Sequence, residues 1–449
     1  MKIIVFDDDP TGSQTVHDCL LLLKWDYQTL LKGLNNQSNI LFILVNTRSL
    51  RDYEAKNRLE EVCNTLKEVI NNENFDKESF IFVSRGDSTL RGHNFLEPET
   101  LNSNLGPFDA TFHIPAFLEG NRVTKNGIHY VNDIPVHKTI FAKDKIFGFQ
   151  TSNIKNLLQK KSNYQLTNDQ IYNLIFSDLE LLEIEDQNVI YKRLFNLNNN
   201  QQVIVDVIEY SHLKKFVNVI QKIMQQKRFL FRTAASFISV ISDIKNSSKD
   251  GRYFSQLRRK NLHDVPMSGL IIVGSYVDLS TLQLQRILEY QQCKPIEINV
   301  FKFSDIIDIK SKKQINIFLD DLLIQIRNCL NDGYTPVIYT SRDLKSFEDE
   351  SQQIKFYNTL SFFLASLISE IKLEIGYLIS KGGITSNTIL SEGLGIDYVY
   401  LEGQILEGIS LVSASLNQNS SMLPIITFPG NIGNQFSLVK VWKIMENTI

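Results

Sequence analysis

Three adjacent carboxylates, Asp7, Asp8 and Asp9, follow a short apolar run, and Pro10 and Gly12 set a turn directly after them. Like charges this close repel one another unless a cation or a network of substrate hydroxyls shares their charge. A second stretch, Ser84-Arg85-Gly86-Asp87-Ser88-Thr89-Leu90-Arg91-Gly92-His93, gathers hydroxyls, two guanidiniums and a carboxylate, a set suited to gripping a small polyhydroxylated anion. Asn46-Thr47-Arg48-Ser49-Leu50 adds another guanidinium among polar groups, a composition that fits a solvated loop equally well. In the second half, Gly274-Ser275, Thr340-Ser341-Arg342, Lys381-Gly382-Gly383-Ile384-Thr385-Ser386 and Pro429-Gly430-Asn431-Ile432-Gly433 read as phosphate loops. Glycine lets an oxyanion approach backbone N–H groups, and Lys381 supplies a positive charge, although any one such loop is also an ordinary tight turn.

Familiar alternatives are missing. No glycine is followed by lysine, which removes a Walker A loop, and there is no G-x-G-x-x-G, GxSxG or HExxH. The embedded Arg85-Gly86-Asp87 tripeptide is short enough to arise by chance. His17, His113, His129 and His137 lack metal-ligand spacing and are expected to be hydrogen-bonded structural histidines, whereas His93 gains weight from its neighbours. The four cysteines, Cys19, Cys63, Cys293 and Cys329, form no CxxC pair, and buried thiols are expected rather than a zinc site or disulfides.

These loops need strands to present them, and the sequence supplies candidates. In the first half the runs Lys2–Phe6, Ile40–Val45, Ser79–Val83 and Thr111–Pro115 predict strands, with a helix from about Tyr53 to Asn71. Asn126-Gly127 between extended segments predicts a hairpin with a type I′ turn. In the second half strands are predicted at Gly269–Val273, Ile296–Val300, Pro336–Tyr339, Ile375–Ile379 and Pro424–Phe428, and helices at Ser280–Gln292, Lys312–Leu330 and Gln353–Ile371. Strand–helix alternation in both halves predicts an α/β protein of two domains, each an open, mainly parallel sheet flanked by helices. Ligands of such sheets collect beyond the carboxyl ends of the strands, where all these loops fall. The expected limits are a first domain at 1–245, a boundary region at 246–266 and a second domain at 267–449.

Composition narrows the class. The chain has 449 residues, 43% of them hydrophobic and 22% charged, which is enough apolar material for two or three folded cores. The 47 Lys and Arg nearly cancel the 50 Asp and Glu to a formal charge of −3. No overall basic field exists to attract nucleic acid or anionic lipid, so neither is an expected partner. The opening apolar run is too short for a signal peptide, and the longest apolar stretch, Leu360 to Ile371, falls short of the roughly 18–20 residues that span a bilayer. A cytoplasmic location is expected.

Taken together, Asp8-Asp9-x-Thr11-Gly12, Asp87-Ser88-Thr89-Leu90-Arg91-Gly92, Gly274-Ser275, Thr340-Ser341-Arg342 and Lys381-Gly382-Gly383-Ile384-Thr385 resemble the four-carbon acid sugar kinase family, in order and spacing across nearly the whole chain. Within it the opening Asp-Asp-Asp-Pro-Thr-Gly is similar to one branch. Relatives commonly carry an apolar or small residue where this chain has Asp7, and a larger apolar residue where it has Pro10. The resemblance implies that the first domain is sugar-acid-binding and the second nucleotide-binding, with a cleft between them. ATP as co-substrate with Mg²⁺, and transfer to the terminal hydroxyl of threonate, erythronate or a 3-oxo-tetronate, are implied with it. It implies that Asp8, Asp9, Asp87, Ser88 and Arg91 contact the sugar acid, and that Ser275, Gly382, Gly383, Ile384, Thr385 and Gly430 contact ATP. On chemical grounds Arg91, with Arg85, is expected to pair with the substrate carboxylate, Asp9 or Asp87 to position the hydroxyl, and Lys381 either to stabilise the moving phosphoryl group or to face solvent. Metal ligands are not identified, and a homo-oligomer is left open. Two other classes stand beside this one: a haloacid-dehalogenase-like phosphatase with Asp7 as nucleophile, and a non-catalytic sugar-acid sensor.

Overall fold

The computed structural model describes residues 1–9, 16–182, 188–243, 249–308, 312–342, 350–416 and 422–448. The chain divides into two compact units, Met1–Asn246 and Ser247–Ile449. No helix among the described residues is long and apolar enough to cross a membrane.

The strands of the first unit are β1 (Lys2–Asp7), β2 (Cys19–Leu22), β3 (Ile40–Leu44), β4 (Phe80–Arg85), β5 (Ala110–Ile114), β6 (Arg122–Lys125), β7 (Ile128–Val131), β8 (Ile134–Pro135), β9 (Ile171–Leu174), β10 (Gln201–Val205) and β11 (Phe229–Thr233). Eight of them form a parallel sheet in the order β2-β3-β1-β4-β11-β5-β10-β9. Strands covered on both faces read as unbroken apolar runs, which is why Ile3, Ile4, Val5 and Phe6 are all buried in β1. The helix Asp52–Asn72 covers one face through Ala55, Leu59, Val62, Cys63, Leu66, Val69 and Ile70, spaced at helical period. Each such fully buried aliphatic side chain contributes roughly 1.5–3 kcal/mol. A small antiparallel sheet, β6-β7-β8, stands apart from the main one. Its first turn has Asn126 at φ 52° and Gly127 at φ 70°, the two positive angles a type I′ turn requires.

The second unit contains β12 (Leu270–Val273), β13 (Cys293–Ile298), β14 (Thr335–Thr340), β15 (Leu378–Lys381), β16 (Tyr398–Leu406), β17 (Ile409–Ala414) and β18 (Leu423–Phe428), in the order β13-β14-β12-β15-β18-β17-β16. The first five run parallel, and β17 and β16 turn antiparallel.

Several expected boundaries move. Val300 begins a helix, Val300–Asp308, instead of ending a strand, because Asn299 accepts the N–H of Lys302 on its side chain and that of Phe303 on its carbonyl. The strand expected at Ile375–Ile379 starts at Leu378; the preceding Gly376 donates to Ser268 and accepts from Arg259. Within the expected boundary region, residues 251–256 form a helix whose Phe254 is buried in the second unit's core. Cys19, Cys63 and Cys293 are buried free thiols, and Cys329 is only half-buried.

Candidate functional site

β3, β1 and β4 lie side by side and end together, so their C-terminal loops share one edge. The backbone locks these loops: the carbonyl of Asp7 accepts the N–H groups of Val45 and Asn46, that of Asp8 accepts Arg48, and Asp8 donates to the carbonyl of Arg85. Asp7 and Asp8 are 1% and 0% exposed, and Arg85 Nη1 reaches their Oδ1 atoms at 3.4 and 3.2 Å. Burial raises the Asp7 carboxyl to about 7 against the pull of Arg85, and raises Asp8 to about 6 against Arg48 and Arg85. Oδ2 of each is buried without a hydrogen-bond partner among the described residues.

Asp9 is the most exposed of the three and is held by Nη2 of Arg48. Nη1 of Arg48 lies 3.8 Å from Asp87. The loop after β4 folds around Asp87, which accepts the N–H and hydroxyl of Thr89 and, at 2.7 Å, Nε of Arg91. Burial alone would raise this carboxyl, but Arg48, Arg91 and the bonds from Thr89 and Arg91 outweigh it and hold it near 2. Leu90, at φ 64°, is the strained point of that turn.

Beneath these loops lies a buried polar layer. Glu97, 1% exposed, accepts from Thr47, Ser84 and Arg232. Arg232 presses so close to Gly86 that a Cβ there would come within 2.3 Å of Nη2. His93 is part of this frame rather than of the open site: Nε2 lies 3.2 and 3.1 Å from the carbonyls of Thr47 and Leu50. His113, His129 and His137 are likewise hydrogen-bonded to Gln202, Ser88 and Ser152.

The hairpin supplies a residue the sequence reading missed. Arg122 at the start of β6 donates from Nη1 to the hydroxyl of Ser88, and its guanidinium lies 5.5 Å from the Phe117 ring and 5.6 Å from that of Phe141. Only fold topology brings it beside a loop more than thirty positions earlier. Arg48, weakly marked in the sequence, is central. Glu97 and Arg232 had one visible signal, a charge inside an otherwise apolar strand at Arg232. Pro10, Thr11 and Gly12 of the opening motif lie outside the described residues, as does the side chain of Ile384.

In the second unit the ends of β14, β12, β15 and β18 form a comparable edge. Gly274 and Ser275 donate to the carbonyl of Lys381, and Gly382 donates to that of Phe428. Gly382 has φ 125°, a conformation that favours glycine, and a Cβ on Gly430 would come within 2.5 Å of Ser275 Oγ. Ser280 ties the loops together through Ser275 and the Gly430 carbonyl. Thr385 is buried against Gly274, and no atom comes within 4 Å of a Cβ built on Gly383. Arg342 donates from Nη1 to the Ser275 carbonyl at 2.6 Å, while Nε and Nη2 are buried with no hydrogen-bond partner among the described residues. Lys381 is fully buried: Nζ donates to the carbonyls of Pro429 at 3.0 Å and Gly430 at 3.4 Å and lies 3.8 Å from the Phe428 ring. Burial lowers it to about 7. Among the described residues no group of three or more His, Cys, Asp or Glu could hold a metal ion.

Residues 3–241 match the model of a sugar-binding N-terminal domain, and residues 270–438 that of a nucleotide-binding C-terminal domain. A D-erythronate kinase of Heliobacterium modesticaldum is 26% identical over 153 residues, which cover 32% of this chain and 32% of that protein. The match thus spans about a third of the relative's length. A solved Haemophilus influenzae protein of family DUF1537 superposes with a TM-score of 0.70 at 16% identity, covering 99% of this chain and 100% of that one. A Salmonella typhimurium LT2 protein described as a tRNA synthase gives 0.71 at 14% identity, covering 98% of each. At such identities these two structures show the fold alone.

Proposed function

The chain belongs to the four-carbon acid sugar kinase family, and from that premise we propose that it transfers the γ-phosphoryl group of ATP to the terminal hydroxyl of a four-carbon sugar acid of the threonate, erythronate or 3-oxo-tetronate type. The first unit takes the acid and the second the nucleotide. The D-erythronate kinase relative supports such an acceptor. The observation that carries the reading is the meeting, at the ends of β1, β3 and β4, of the carboxylates of Asp7, Asp8, Asp9 and Asp87 with the guanidiniums of Arg48, Arg85 and Arg91. Fixed charges and hydroxyls in such density suit a substrate that is itself an anion with several hydroxyls.

Phosphoryl transfer asks a protein for alignment and charge stabilisation. Asp8, Asp9, Asp87, Ser88, Arg85 and Arg91 bind the acid. Asp9, the least enclosed carboxylate and one fixed by Arg48, orients the attacking hydroxyl and accepts its proton as the new P–O bond forms and ADP leaves. Asp87, held near 2, serves as a hydrogen-bond acceptor throughout. Ser275, Gly382, Gly383, Ile384, Thr385 and Gly430 surround the phosphates of ATP, and the unpartnered nitrogens of Arg342 meet their charge. Lys381 acts as a positioning residue, shaping the Pro429–Gly430 turn through its carbonyls. Mg²⁺, which the family implies, would supply charge neutralisation at the ATP phosphates, and no residue of this chain is assigned as its ligand. The alternative with Asp7 as a phosphatase nucleophile gains no support from a carboxyl that is 1% exposed and paired with Arg85.

The test is an ATP-consumption screen with Mg²⁺ against four-carbon sugar acids and 3-oxo acids, run beside Arg91→Ala and Asp87→Asn. ADP formation that depends on one acid and is lost in both variants is the expected result. Tight ATP binding with no turnover on any acid would leave a sensor as the better reading.

A further inference from the structure

Five guanidiniums surround the acidic cluster of the first unit, and four are matched by carboxylates, Arg232 by Glu97. Arg85 pairs with Asp7 and Asp8, Arg48 with Asp9 and Asp87, and Arg91 with Asp87. Arg122 makes no ion pair among the described residues: its Nη1 meets a hydroxyl, that of Ser88, and its Nε is buried with no hydrogen-bond partner. Burial lowers its proton affinity, Asp87 opposes that, and the nearby charges of Arg91 and Arg85 add to it. A desolvated cation crowded by like charges is costly, and a bound anion would relieve that cost.

The guanidinium is also held in place before any ligand arrives. Arg122 and Phe117 exchange backbone hydrogen bonds, each 2.9 Å long. It lies over the rings of both Phe117 and Phe141, and Arg91 lies over the same Phe141 at 5.3 Å. His129 of the adjoining β7 donates to the Ser88 carbonyl at 2.8 Å, tying the hairpin to the loop that carries Asp87. A preorganised planar fork matches a carboxylate with two parallel hydrogen bonds.

We propose that Arg122 is the specificity residue that recognises the carboxylate of the sugar acid, the role chemistry alone would give to Arg91. Arg91, already engaged by Asp87 and Thr89, contacts the acid beside Asp87 and leaves its carboxylate to Arg122. This rests on the sugar-acid reading above.

Calorimetric titration of wild type, Arg122→Gln and Arg122→Lys with D-erythronate, L-threonate and erythritol, without nucleotide, tests it, followed by steady-state kinetics with MgATP. In Arg122→Gln the affinity for the preferred acid is expected to fall about 30- to 100-fold, the loss of a charge-assisted pair. Its affinity for uncharged erythritol stays the same, so preference for the acid collapses. KM for the acid rises while kcat and the KM for ATP stay within about threefold, and Arg122→Lys recovers part of the affinity. An Arg122→Gln protein with wild-type melting temperature and wild-type acid affinity overturns the proposal and leaves the kinase reading standing. A wild type that binds neither acid nor any related sugar acid overturns both. If Arg122→Gln does not fold, Arg122→Lys decides, because the bidentate contact predicts about tenfold weaker acid binding and its absence predicts none.

Discussion

Gly127 donates its backbone N–H to Oδ1 of Asp206 at 2.9 Å. Asn126 donates to the other oxygen of the same carboxylate, and Asp206 lies immediately beyond β10. One side chain of the main sheet therefore satisfies both turn amides of the hairpin that carries Arg122. Asp206→Ala leaves these amides without their acceptor, and urea denaturation should record a loss of about 1–3 kcal/mol. KM for the sugar acid should rise with it, whereas ATP affinity should not change. An unaltered urea midpoint would show that the turn holds itself.

Gly86 faces Arg232 across less space than a methyl group needs. Gly86→Ala must displace a guanidinium that is paired with Glu97 and buried beneath the acid loops. Overpacking combined with a disturbed buried ion pair is expected to cost about 2–4 kcal/mol. Thermal unfolding of the purified variant measures it, and a change below about 0.5 kcal/mol would mean that the layer yields freely.

Asp7 gives stability a definite pH dependence. Burial holds its carboxyl at about 7 in the folded chain, against 3.8 for an exposed aspartate, so between these values the folded state holds a proton that the unfolded state has released. Stability contributed by this group is therefore greatest below about pH 4 and is lost as pH rises through 7. Asp7→Asn removes the titration, and Arg85 keeps Asp8 as its partner. Melting temperatures should favour the variant by several degrees at pH 8, with the gap shrinking steadily as pH falls toward 4. A gap that does not vary with pH would contradict the assignment.

Lys381 acts in the opposite direction. With a folded value of about 7 against 10.5, the unfolded state binds the extra proton between them, so this group's penalty is full below pH 7 and fades as pH rises toward 10. Lys381→Met should flatten the rise in melting temperature between pH 7 and 9 relative to wild type. Loss of the ammonium that orders the Pro429–Gly430 carbonyls should weaken ATP binding about tenfold, the scale of one charge-assisted hydrogen bond.

Much of this architecture is legible in the residues because strands covered on both faces leave plain apolar runs. β1, β3, β4, β5, β12, β14 and β18 can be placed within two residues of their ends in that way, and the acidic and glycine loops follow directly from them. The β16–β17 pair is harder to see. Its turn, Glu407-Gly408, carries a glycine at φ 73°, yet the residues between Ile379 and Pro424 yield no expected strand. Arg122 and Glu97 cannot be read locally at all, since each gains its meaning from a partner that only the fold brings near, Ser88 for one and Arg232 for the other. Long-range pairing of this kind leaves no periodic trace in the chain.

The four free thiols differ sharply in their environment. Burial pushes Cys63 and Cys293 up to about 12 and raises Cys19 further, while half-buried Cys329 lies on the helix Lys312–Asn331. Partial burial raises the Cys329 thiol as well, so its access to solvent is what sets it apart. A thiol-directed reagent at neutral pH should label it first in the native protein and reach all four once the chain is opened. The second unit carries its own labelling handle, and the remaining three sulfurs serve as a clock for global opening.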